Sequence, residues 1–89
     1  MIGAIRAENG FAVRMTFAMR GHDQLGIQSQ RGSESTWSSL AFDTNSPYVD
    51  GRAPLVAGQP EQRRYRARFV DDDVPVGDWS DVVEVTAHP

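Results

Sequence analysis

The chain has 89 residues, 39% of them hydrophobic, which suits one domain whose thin core rests on a few large apolar side chains. The formal net charge of −3 speaks against a nucleic-acid partner. Cysteine is absent, which excludes disulfides and thiolate metal sites.

No apolar run reaches the roughly 18 residues of a membrane-crossing helix, so no membrane partner is expected. The opening "MIGAIRAENGFAVRMTF" lacks the apolar stretch of a secretory signal. All nine basic residues are arginine. A GC-rich genome accounts for that, and selection for planar guanidinium contacts is the competing explanation.

In chain order, the segment Gly3–Ala7 carries a weak strand signal. Asn9-Gly10 then marks a tight turn. "FAVRMTFAM" alternates with period two, placing Phe11, Val13, Met15, Phe17 and Met19 on one face. After "RGHD" comes "QLGIQSQ", a strand with Leu25, Ile27 and Ser29 on one side. "RGSES" is a turn, and "TWSSLAF" a strand without clean alternation. "DTNSP" turns the chain again, because Asp, Asn and Ser bond their own backbone and Pro47 stops any continuation. "YVDGR" is a short strand and "APLVAGQP" a loop crossing between sheets. "RRYRARFV" alternates strongly, with Tyr65, Ala67 and Phe69 on one side and Arg64, Arg66 and Arg68 on the other. "DDDVPVGDW" reads as a loop, and "SDVVEVTA" closes with Val83 and Val85 inward and Glu84 outward.

Six or seven short strands with a turn every 8–12 residues or so imply an all-β, immunoglobulin-like antiparallel β-sandwich. The last two strands each show one polar face, so their sheet is buried on one side only. On that outer face the three arginines lie across from Glu84, where a cross-strand ion pair contributes about 0.2–1 kcal/mol. An ordinary solvated sheet face explains them, with no ligand required.

The closing "PEQRRYRARFVDDDVPVGDWSDVVEVTAHP" resembles the end of a fibronectin type III domain. Tyr65–Phe69 is similar to the family's Tyr-bearing penultimate strand, and Trp79-Ser80 to Thr86 to its approach and last strand. "FAVRMTF" resembles the second strand, with Phe17 where the family usually has tryptophan, and "LGIQSQRG" resembles the third. The pattern spans about residues 10–87 and looks like single-domain bacterial members. The resemblance implies fibronectin type III topology across 1–89. It also implies a Tyr65 hydroxyl bonded to an upstream backbone group, as in a tyrosine corner. The first strand is short or missing by the same comparison, which would leave the second as an open edge inviting another chain.

Residues for chemistry are sparse. His22 falls in a turn and His88 in the tail, with no serine beside either. No Gly-x-Ser-x-Gly, His-Glu-x-x-His or phosphate-loop pattern occurs. Asp71, Asp72, Asp73, Asp78 and Asp81 crowd one loop, yet lack the glycine and terminal glutamate of a calcium-binding loop. A solvated hairpin loop accounts for them. Trp37 and Trp79 could stack on a sugar or anchor a partner, although Trp-Ser before a last strand commonly folds back on its own sheet. "RGS" at 31–33 and "DGR" at 50–52 are turn sequences, not Arg-Gly-Asp.

The expectation is therefore a non-catalytic module for protein–protein interaction or spacing, with no cofactor and no metal. The candidate binding residues are Trp37, Trp79, Arg64, Arg66 and Arg68. A structural subunit assembling through its edge strand, and a carbohydrate-binding accessory domain, are the alternatives.

Overall fold

The computed structural model describes residues 2–89 and contains only strands and their connections. In chain order they are β1 (Ile2–Glu8), β2 (Ala12–Phe17), β3 (Gln24–Arg31), β4 (Ser38–Asp43), β5 (Tyr48–Asp50), β6 (Glu61–Asp71), β7 (Val74–Val76) and β8 (Val83–Ala87). β1, β2 and β5 form one antiparallel sheet, in that order. The other has β4, β3 and β6 in order, with β7 and β8 both pairing the far edge of β6. The two sheets make the expected β-sandwich.

Alternation dictates the core. Val13, Met15 and Phe17 of β2 are buried against Leu25 and Ile27 of β3, Tyr65 and Ala67 of β6, and Ala87 of β8. Phe69, Val83 and Val85 are half-buried against this cluster. Each side chain lies on the face that its spacing predicts. Phe11 and Met19 fall outside β2 but still pack on the core from its two ends.

The expectation of a short or missing first strand is corrected. β1 pairs β2 from Ile2↔Phe17 to Glu8↔Ala12, so β2 is an interior strand with β5 on its other side. The register of β1 shifts between Ile2 and Ala4, which breaks period two and hides the strand in the sequence.

The acidic stretch forms a solvated hairpin, as read, but its Val74–Val76 is a strand and not loop. Asp71 pairs Val74 around a two-residue turn. Asp72 and Asp73 both take positive φ, at 50° and 63°. Positive φ at both central residues is the hairpin geometry whose twist matches the flanking strands. β7 covers only Phe69–Asp71 of β6, and β8 covers Glu61–Tyr65. Between them Ser80 replaces the missing strand: its N–H donates to Ala67 O at 2.7 Å, and its Oγ accepts from Ala67 N–H at 2.9 Å.

Three of the free edges, those of β4, β7 and β1, are blunted. β4 carries one extra residue, Leu40, between the pairs Ile27↔Ala41 and Gln28↔Ser39. β7 carries Pro75, and β1 carries its own register shift and an Arg6–Glu8 ion pair. Bulges, proline and charge are the devices that keep sheet edges from pairing with other chains.

Candidate functional site

The outer face of the five-stranded sheet gathers all five residues singled out from the sequence. β6 presents Arg64, Arg66 and Arg68 outward; Trp37 comes from the approach to β4, and Trp79 from the gap between β7 and β8. Arg64 donates to Glu84 Oε2 at 3.0 Å, and also to Gln30 Oε1 and Gln62 Oε1. This is the cross-strand pair predicted at that position.

Arg66 is held differently. Its Nε and Nη2 both donate to Gln28 Oε1, at 2.9 and 2.7 Å. The guanidinium carbon lies 4.5 Å from the Trp37 ring centroid and 4.4 Å from that of Trp79. Arg68 stacks on Trp79 as well, at 4.1 Å. The order Trp37–Arg66–Trp79–Arg68 is a ladder of cation–π contacts, each contributing about 0.5–1 kcal/mol at such sites. Trp79 thus folds back on its own sheet. The rings already carry guanidinium groups, which leaves less ring surface for a sugar to stack on.

Unlike its neighbours, Arg68 makes no hydrogen bond or ion pair among the described residues; Trp79 is its partner. Beside it the sheet has a pit of about 140 Å³, lined by Gly26, Phe42, Arg68, Val70, Pro75 and Trp79. Strand pairing explains the pit. Phe42, Gly26 and Arg68 form one row across β4, β3 and β6, and the middle member has no side chain. A Cβ on Gly26 would meet Phe42 Cε1 at 3.3 Å and Val70 Cγ2 at 3.4 Å. Phe42 remains 60% exposed at the rim.

A second polar cluster lies between the sheets and was not foreseen. Arg63 is fully buried, one alternation step before Tyr65 on the inward face. Its guanidinium donates to Glu61 Oε1 at 3.0 Å, Phe11 O at 2.9 Å and Arg52 O at 2.8 Å. Asp50, also buried, accepts from Tyr65 Oη at 2.7 Å and from Arg52 Nε and Nη2 at 2.8 and 2.9 Å. Arg52 Nη2 also donates to Ser29 Oγ at 2.9 Å. Tyr65 therefore bonds a carboxylate of the opposite sheet, which corrects the expected bond to upstream backbone. Burial alone would raise the Asp50 pKa, but the hydrogen bonds from Arg52 and Tyr65 outweigh it and hold the carboxyl below its ordinary value. Burial, then the bond to Asp50, pushes the Tyr65 hydroxyl well above the usual phenol range. The signal for Arg63 was present in the sequence, since period two places it with Tyr65; its charge argued against burial.

His22 is not simply a solvated turn residue. It stacks on Phe69 at 4.0 Å between centroids, and its Nδ1 is 2.6 Å from Asp71 Oδ2. The Asp23 N–H donates to Asp71 Oδ1 at 2.8 Å. That bond first, and His22 second, lower the Asp71 pKa. Among the described residues, no three His, Cys, Asp or Glu side chains are grouped to hold a metal ion.

No protein-family model, no curated protein and no solved structure matches the chain. What the fold and the two clusters define is an all-β sandwich with an ionic clamp inside and an aromatic–arginine ladder outside.

Proposed function

We propose that this chain is a non-catalytic β-sandwich module for protein–protein interaction or spacing, of the fibronectin type III kind. The observation that carries the reading is the outer face of the five-stranded sheet. There the ladder fixes side chains from three separate segments around a pit whose rim, Phe42, is exposed. A pre-organised face loses little side-chain entropy when a partner covers it. Clustered aromatic and arginine side chains are the residue types that dominate protein interfaces.

Sheet order supports the family resemblance: β1-β2-β5 faces a sheet built on β4-β3-β6, and the last strand lies beyond β6. Spacing has its own support. Ile2 pairs Phe17 at the open end of the β1–β2 hairpin, whereas the Phe11 N–H donates to His88 O at its turn. Residues 2 and 88 therefore lie about 20 Å apart along the hairpin, at the usual strand rise.

A benzophenone-bearing residue placed at position 42 and, separately, at position 6 on the other sheet tests the reading in the cell that makes the protein. Interaction predicts covalent adducts with a different polypeptide from position 42 alone. Absence of adducts from both positions leaves spacing. Adducts only with a second copy of the chain would replace the proposal with self-assembly.

A further inference from the structure

We propose that the pit over Gly26 receives one aromatic side chain from an acidic segment of a partner protein, with a carboxylate beside that ring engaging Arg68. This rests on the interaction reading and gives it a ligand chemistry.

Size sets the first requirement. About 140 Å³ is close to the roughly 150 Å³ of a cavity that accepts one benzene ring. The walls suit a ring: Phe42, Trp79, Val70 and Pro75 line the pit, with the polar Gln28 and Ser39 beside them. Gly26 supplies the floor, and any larger residue there would crowd Phe42 and Val70.

Charge sets the second requirement. Arg64 already has Glu84, and Arg66 is spent on Gln28 and two indoles. Arg68 alone on this face lines the pit with its N–H donors unclaimed among the described residues, and its stacking on Trp79 holds it there. A planar guanidinium with a free donor edge takes a carboxylate in a two-point hydrogen bond. Asp73 also borders the pit, but it is an exposed turn residue whose field is screened by water. A positively charged segment would face Arg68 and find only that solvent-screened carboxylate to offset it.

The probe is a blocked peptide, acetyl-Gly-Glu-Phe-Asp-Gly-amide, titrated into the isotope-labelled full chain and followed by two-dimensional NMR. Shifts are expected at the Gly26 amide, Phe42, Arg68 and the Trp79 indole N–H. Replacing Phe by Ala, or both acids by Lys, is expected to weaken binding by about tenfold or more. Gly26→Ala, which fills the floor, is expected to do the same while the spectrum stays dispersed. Arg68→Gln should abolish the preference for the acidic over the basic peptide, whereas Arg6→Gln, on the other sheet, should leave it unchanged. Equal binding of the basic peptide, or no shift up to about 5 mM, would overturn the proposal. Shifts confined to β1 and β2 would also overturn it, while leaving an interaction module in place. Adducts from position 42 without peptide binding would again remove the pit and not the module.

Discussion

The Tyr65 hydroxyl and the Asp50 carboxylate, 2.7 Å apart and both buried, join β6 of one sheet to β5 of the other. A hydrogen bond to a charged acceptor contributes about 1.5–3 kcal/mol. Tyr65→Phe keeps the ring in the core and removes only the donor. Its unfolding free energy is expected to fall by that amount, read as a lower urea midpoint with an unchanged slope.

Arg63 should be less replaceable. It is a fully buried cation whose three bonds run in different directions, to Glu61, Phe11 and Arg52. Removing one member of a buried charge cluster costs about 3–5 kcal/mol, because the remaining charges lose their compensation. Arg63→Met is expected to lose that much, a large part of the 5–15 kcal/mol typical of whole domains. Arg63→Lys restores the charge but not the fork, so it should recover less than half. Urea unfolding of the three proteins checks the order.

The depressed pKa of Asp50 makes a signed prediction. A carboxylate whose folded pKa lies below its unfolded one stabilises the fold fully above the unfolded value, about 3.9. The contribution is lost as pH falls through the folded value, because the unfolded chain takes up its proton first. Stability measured from pH 6 downward, at roughly half-unit steps, should hold steady and then drop below about pH 4. The drop should be shallower in Asp50→Asn, whatever its starting stability.

Ser80 bridges the interrupted edge of β6 through the Ala67 backbone. Ala67 is fully buried, so Ser80→Ala leaves its N–H without a partner. A buried unsatisfied donor costs about 1–3 kcal/mol. Hydrogen exchange should show the Ala67 amide losing protection in the variant, while Ile27 in the centre of the sheet changes only with global stability.

How much of this was legible depended on whether period two survived. It survives in Val13–Phe17, Leu25–Ser29 and Tyr65–Ala67, and those side chains are buried as read. In β4 the extra residue Leu40 breaks the alternation, which is why that strand reads ambiguously. In β1 the register shift leaves Ile2 and Ile5 as its half-buried isoleucines, three apart, and the strand fades. β7 has no buried residue to give a pattern; it exists because β6 runs on to Asp71 and the Asp72–Asp73 turn folds the chain back. The members of the outer ladder could be named from sequence, but not their stacking, since residues 37, 66 and 79 meet only through the sheet.

Whether the chain works alone or by joining copies of itself is the central question, and light scattering after size exclusion answers it most directly. With β2 covered by β1 and the edges of β4, β7 and β1 broken by Leu40, Pro75 and the Arg6–Glu8 pair, the predicted mass is 9.9 kDa. It should hold constant across a concentration range of about a hundredfold, since an association in this range would show as a shift of populations. A mass that climbs with concentration would contradict the account and make an edge strand the working surface.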